Sequence, residues 1–168
     1  MGIEIERKYL IRMPDVAKLK AMPGCEVWDI LQVYLCEGPN GETRRIRRIR
    51  RDGCETYFYT QKRRISALSC EENEREIPGA EFMHLAKEAD VCCRPIEKQR
   101  LRIPYCGQLL EVDIYDFWTD RATLEVELEG EDQDVVMPEW ISLVRDVSAE
   151  KAYKNRQLAC RVPMEELG

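Results

Sequence analysis

Residues 1–12 read MGIEIERKYLIR. In an extended strand the side chains alternate between two faces, so Ile3, Ile5, Tyr9 and Ile11, with Arg7, share one side while Glu4, Glu6 and Lys8 share the other. An antiparallel sheet with one dry and one wet face produces such a pattern, and for a single strand that reading suffices. Whether the charged row faces solvent or an interior is decided by the rest of the chain.

A chain of 168 residues, 44% hydrophobic and 35% charged with net charge −6, has the composition of one soluble globular domain spanning residues 1–168, not of a disordered or membrane-embedded protein. No apolar run approaches the roughly 18 residues of a spanning helix. Four charges within the first eight residues leave no apolar core for a secretory signal, so the cytoplasm is the default location. The eight cysteines (25, 36, 54, 70, 92, 93, 106 and 160) include no CxxC and have one histidine to assist them, so they read as reduced structural thiols rather than a zinc site. That histidine, His84, lies in the helical pattern AEFMHLAKEAD; any chemistry here proceeds without an imidazole base.

The modest net charge hides a separation. Residues 44–64 carry nine Arg and Lys against Asp52 and Glu55, whereas residues 111–134 carry ten acids against the single Arg121. Period-two alternation recurs along the chain: ILQVYLC (30–36), TRRIRRIRR (43–51), TYFYTQKR (56–63), SCEENEREI (69–77), IEKQRLRI (96–103), GQLLEVDIYDFW (107–118) and ATLEVELEG (122–130). With the opening segment this makes about eight strands, nearly all antiparallel. Asp52-Gly53 suits the positive φ of a tight hairpin. Helices are expected over roughly 14–21 from Pro14, 79–90, 138–146 near Pro138, and 148–160 with Ser148 as N-cap. Trp28, Trp118 and Trp140 read as core packing.

Within each strand one face carries charges of a single sign: Glu72, Glu74 and Glu76; Lys98, Arg100 and Arg102; Glu125, Glu127 and Glu129. Like charges about 7 Å apart repel one another, so a merely solvated face would mix its signs. Closing the strands into a barrel resolves the conflict. The apolar faces turn outward beneath helices, and acidic and basic rows confront each other across a wet lumen. The expected fold is therefore β-rich α+β, an eight-stranded antiparallel closed barrel with a charged lumen and helices packed outside. Clustered carboxylates suit Mg²⁺ or Mn²⁺, and clustered Arg and Lys suit phosphate oxygens. Together they predict phosphoanhydride chemistry.

The motifs then resemble a family. Glu4-Ile5-Glu6-Arg7-Lys8 matches the ExExK signature of the CYTH superfamily, the triphosphate tunnel metalloenzymes, and the chain is similar to their small bacterial members. QVYL (32–35), Arg45-Ile46-Arg47, Thr60-Gln61-Lys62, Glu74 with Glu76, Lys98 with Arg100, Glu111 with Asp113, Glu125 with Glu127, and AYKN (152–155) follow in family order. The resemblance implies a tunnel binding triphosphate lengthwise with one or two divalent ions, Mg²⁺ or Mn²⁺. It places Glu4, Glu6, Glu125 and Glu127 on a first metal, and Glu74 and Glu76, with Glu72 nearby, on a second metal or its water. Lys8, Arg45, Arg47, Lys62, Lys98 and Arg100 fall on phosphates, with Lys8, Glu74 and Glu76 in catalytic positions. Glu111 and Asp113 are read as either site residues or groups that tune the lysines and arginines. The basic residue that members carry before the closing Tyr is Ala152 here, with Lys151 or Lys154 as its replacement.

The implied activity is metal-dependent hydrolysis of a triphosphate substrate, foremost inorganic tripolyphosphate. Adenylyl cyclase and thiamine triphosphatase activities occur on the same scaffold, and no nucleoside pocket is visible in the sequence. Two non-enzymatic alternatives are an idle polyphosphate-binding module and a nucleic-acid-binding module built on RRIRRIRR (44–51); the acidic pI of about 5.1 argues against the latter. Arg44, Arg48 and Arg50 point away from Arg45 and Arg47, either toward a homodimer contact or into solvent.

Overall fold

The computed structural model describes residues 2–168. The opening alternation is built into strand β1 (Gly2–Arg12), and strands of the same period follow: β2 (Glu26–Tyr34), β3 (Thr43–Arg51), β4 (Cys54–Arg64), β5 (Ser69–Ile77), β6 (Ile96–Tyr105), β7 (Gln108–Tyr115), β8 (Arg121–Glu127) and β9 (Leu143–Asp146). Eight of them pair antiparallel in the order β5-β4-β3-β2-β6-β7-β8-β1. The first residues of β1 return onto β5, from Gly2↔Glu72 to Ile5↔Ser69, and close the cylinder. Closure leaves no long free edge.

Cross-strand register puts the charged rows inside. Lys8 lies opposite Glu125, Glu6 opposite Glu127, Arg100 opposite Asp113, Thr60 opposite Glu74 and Lys62 opposite Glu72. The reverse faces carry the apolar residues. Tyr9, Ile11, Leu101, Ile103, Leu110, Val112, Leu124 and Val126 are buried under helix α1 (Val16–Lys20) and the segment reaching Ile141. On the opposite wall Ile46 and Ile77 are covered by Phe82 of helix α2 (Gly79–Leu85). The inversion expected from the sequence is thus the architecture along most of the barrel: these two hydrophobic clusters lie outside the cylinder and the ions inside.

The hairpin Asp52-Gly53 adopts positive φ at both positions, 49° and 77°. A second turn of this kind, Cys106-Gly107 with φ of 48° and 73°, joins β6 to β7. A non-glycine residue pays conformational strain there that Asp or Asn carries more easily.

The helical expectations need correction. Helix α1 is short and is capped by Asp15, which accepts from the Lys18 amide at 3.2 Å, rather than started by Pro14. The pattern over 79–90 yields α2 and then one 3₁₀ turn at Ala86–Glu88. Residues 138–146 are not helical: Leu143–Asp146 is a ninth strand, added to β1 through Tyr9↔Asp146 and Leu10↔Arg145. The carboxyl half of β1 has backbone groups to satisfy beyond its pairing with β5, and this short segment supplies them. Residues 148–160 split into a 3₁₀ turn (Lys151–Tyr153) and helix α3 (Asn155–Cys160). Ser148 caps neither, because its hydroxyl accepts from the Lys8 amide at 2.8 Å.

One end of the lumen is filled. Leu10, Tyr34, Ile96 and Tyr115 from the barrel wall pack with Trp118, Val147, Tyr153, Leu158 and Ala159, so α3 and the 3₁₀ turn supply an apolar stopper. Among the described residues no helix is long and apolar enough to cross a membrane.

Candidate active site in the barrel lumen

Strand periodicity brings Glu4, Glu6 and Lys8 from β1, Arg45 and Arg47 from β3, Lys62 from β4, Glu72 and Glu74 from β5, Lys98 and Arg100 from β6, and Glu125 and Glu127 from β8 onto the inner wall. Lys8, Arg45, Arg47, Lys98, Arg100, Asp113 and Glu125 are all buried.

Asp113 is the hub of the basic side. It is fully buried and accepts from Lys98 Nζ at 2.8 Å, from Arg100 Nε at 2.8 Å and from Arg100 Nη2 at 2.9 Å. Arg100 also reaches Glu111 at 3.3 Å and Glu125 at 3.2 Å. Of the two readings the sequence allowed for Glu111 and Asp113, the contacts fit positioning of lysine and arginine. Burial, with Arg100 adjacent and Asp113 only partly offsetting it, pushes the Lys98 ammonium down to about 8. Burial and the charge of Arg45 lower Arg47 to about 10. The Nε atoms of Arg45 and Arg47 are buried and lack a hydrogen-bond partner among the described residues. Arg45 also forms no ion pair there, whereas Arg47 holds Glu74 at 2.9 Å. Desolvated guanidiniums with unspent donors are prepared for an anion.

The carboxylates gather toward one mouth. Glu4, Glu72, Glu74 and Glu127 line a cavity of about 340 Å³ with Gly2 and Ile3. Burial alone would raise Glu4, but the Lys62 ammonium at 2.6 Å holds it down to about 2. Glu6 behaves oppositely: burial, then the charges of Glu125 and Glu4, push it up to about 8. Burial opposes ionisation of Glu125, and Arg100, Lys8 and Lys98 overcome it, keeping that carboxylate well below its usual range. Burial, followed by Glu4 and Glu111, raises Glu127.

At the other mouth, Lys8, Arg45, Lys62, Arg64, Lys154 and Arg156 surround a cavity of about 110 Å³ with Glu6 and Tyr34. Of the candidates to replace the missing basic residue at Ala152, Lys154 reaches this mouth, its Nζ donating to the carbonyls of Ser148 and Ala67. Lys151 is exposed on the 3₁₀ turn and forms no side-chain hydrogen bond or ion pair among the described residues. Glu76 is likewise exposed at the rim, opposite Phe58, and is not gathered with the buried group. Arg64 and Arg156 are missed by the sequence reading; a strand end and α3 bring them in, together with Asn155 of the AYKN motif, and periodicity carries no signal for such segments.

The donor set fits a hard divalent cation, since its ligands would all be carboxylate oxygens. Two of these oxygens, Glu72 Oε2 and Glu125 Oε1, are buried without a hydrogen bond among the described residues, with Lys62 Nζ at 3.3 Å and Lys8 Nζ at 3.5 Å respectively. Among the described residues no three ligating side chains converge into a ready cage, because Lys62 stands between Glu4 and Glu72.

Outside the wall, Arg44 is bound to the Tyr59 hydroxyl at 2.9 Å and to Glu88 at 3.4 Å, and Arg50 to Glu55 at 2.5 Å. Arg48 and Arg50 line an external cavity with Asp29 and Glu97. Trp28 is not a core residue. It sits at a mouth with Arg102 over its ring at 4.3 Å and its indole N–H on Glu26 at 3.0 Å.

No protein-family model matches the chain. The inorganic triphosphatase of Nitrosomonas europaea is 32% identical over 165 residues, covering 95% of this chain and 99% of that protein. The chain belongs to the inorganic triphosphatase family. A crystal structure of an inorganic triphosphatase shares the fold with a TM-score of 0.60 and 29% identity, over 96% of this chain and 100% of the other. A Hippeastrum protein described as a putative adenylyl cyclase with a dominant triphosphatase activity shows the same fold at a TM-score of 0.50 and 17% identity, over 76% of this chain and 80% of that one. The CYTH resemblance drawn from motif order thus holds for this triphosphatase family member across nearly its whole length.

Proposed function

We propose that the chain is a divalent-metal-dependent triphosphatase that hydrolyses inorganic tripolyphosphate to pyrophosphate and orthophosphate. The single observation that carries this reading is the polarised lumen: carboxylates at one mouth and a cluster of cations at the other, with the buried Nε atoms of Arg45 at that mouth and of Arg47 on the same strand lacking a partner among the described residues. A linear polyanion lying along the lumen meets Lys8, Arg45, Arg47, Lys62, Lys98 and Arg100 in turn. These groups bind its oxygens and stabilise charge on the leaving phosphate. The substrate competes with Glu74 for Arg47, which frees a carboxylate already ionised by Arg47 and Thr60 to orient water. Glu76 lies farther out on the same row. A divalent ion held by Glu4, Glu6, Glu125 and Glu127, with Glu72 and Glu74 as donors to a second, would neutralise substrate charge and activate the attacking water. Eight unpaired cysteines suit residence in a reducing cytoplasm.

The test is a phosphate-release panel over tripolyphosphate, pyrophosphate, ATP and thiamine triphosphate, with Mg²⁺, Mn²⁺ or chelator. Fastest release from tripolyphosphate, lost on chelation and abolished in Glu6→Lys, is expected. Cyclic AMP formed from ATP, full turnover in Glu6→Lys, or tight tripolyphosphate binding without release would overturn the reading.

A further inference from the structure

Away from the lumen, one pair of reactive groups stands without a role. Cys93, in the loop leading into β6, and Cys160, the last residue of α3, bring their sulfurs to 3.0 Å although 67 positions separate them in the chain. Cys160 is exposed and Cys93 half-buried, and both are free thiols. Their backbones are fixed independently of the sulfurs. The Arg94 amide donates to the Ala159 carbonyl at 3.0 Å and the Cys93 amide to the Asp90 carbonyl at 3.0 Å. From the same helix, Arg156 donates to Asp90 at 2.6 Å and to the Leu35 carbonyl at 3.2 Å. The sulfurs therefore stand within about 1 Å of disulfide separation on a backbone that is already pinned.

We propose that Cys93 and Cys160 form a reversible disulfide that staples α3 to the loop before β6. A low-molecular-weight disulfide such as oxidised glutathione is the oxidant. Cys160, deprotonated by solvent, attacks one glutathione sulfur and displaces a glutathione thiolate. Cys93 then loses its proton to solvent and attacks the Cys160 sulfur, releasing the second glutathione thiolate. Two protein thiols are oxidised and one glutathione disulfide is reduced to two thiols. Cys160 is the entry point because it is exposed, while burial and its contact with Cys160 raise the Cys93 thiol to about 12; capping Cys160 removes that contact. The staple acts on the end of the barrel, since α3 places Leu158 and Ala159 in the apolar stopper and Asn155 and Arg156 at the cationic mouth.

The test treats the full chain with oxidised glutathione and reads free thiols, a non-reducing peptide map and the thermal midpoint, before and after reductant. Expected are a loss of two of the eight thiols, a Cys93–Cys160 peptide, and a rise in midpoint of at least about 4 °C, because a long loop is closed. Reductant reverses all three, Cys93→Ser and Cys160→Ser each abolish them, and Cys92→Ser keeps them. Should Cys93→Ser fail to fold, the exposed Cys160→Ser carries the test alone. Glutathione adducts without a cross-link, a link through Cys92, or a midpoint rise that persists in Cys160→Ser would overturn the proposal.

Discussion

Replacing Asp113 by Asn tests how the basic wall is held. The carboxylate is fully buried and receives three charged N–H groups, at 2.8, 2.8 and 2.9 Å, from Lys98 and Arg100. Asn keeps the volume, removes the charge and turns an N–H₂ toward one of the cations. Removing one partner of a buried ion pair costs about 3–5 kcal/mol. Arg100 retains Glu111 and Glu125, so the lower end, about 3 kcal/mol, is expected. For a chain of this size that is a fall in midpoint of about 6–12 °C, read by thermal and urea unfolding at pH 7. The loss should shrink at pH 9. Lys98 has a folded pKa of about 8, below its ordinary 10.5, so it is the protonated form that folding disfavours, and a Lys98 shedding its proton no longer needs Asp113. A variant within about 0.5 kcal/mol of the wild type at pH 7 would show that water in the lumen solvates these cations, and would refute their desolvation.

Arg47→Ala removes a buried guanidinium with an unspent donor; tripolyphosphate KM should rise about 10- to 100-fold, the equivalent of about 1.5–3 kcal/mol for a charged hydrogen bond, with kcat less affected, as steady-state kinetics will show. In the free enzyme Lys98 loses its charge above pH about 8, so kcat/KM should fall through that range while Lys98→Arg, which stays charged, resists the fall. The same depressed pKa makes the wild-type fold gain stability from Lys98 as pH rises from about 8 toward 10.5, measurable by urea titration across that window. Cys106→Asn relieves a side chain at φ of 48° and should stabilise by about 0.5–1 kcal/mol, seen as a higher midpoint; no gain would mean that the turn carries no strain.

Where the reading of the sequence failed, it failed on segments whose conformation is set by what they touch. Residues 138–146 have a proline and an apolar spacing that suit a helix, yet Leu143–Asp146 serves as a strand because the carboxyl half of β1 offers unpaired backbone groups. Ser148 has the chemistry of a cap, but its hydroxyl is taken by the Lys8 amide, 140 positions away in sequence. Trp28 has the apolar bulk of a core residue, yet it lies between Arg102 and Glu26 at a mouth. Of the pair offered for the vacant basic position, Lys154 faces the lumen and Lys151 faces solvent, a choice made by a 3₁₀ turn that spacing does not announce.

The identity of the eight barrel strands, the inward sense of their charged rows, and hence a barrel with ions inside were determined by the sequence alone, because period two is a local property and like charges in one row need an opposing row somewhere. Which carboxylate meets which cation was decided only by the tertiary structure. Asp113 clamping Lys98 and Arg100, Glu6 pushed up to about 8 by burial and by Glu125 and Glu4, and one barrel end stoppered by Leu10, Tyr115 and Leu158 all depend on register and closure between strands far apart in the chain. The physical reason is range: alternation is written between neighbours, whereas burial, and with it every shifted charge, exists only once the cylinder has closed.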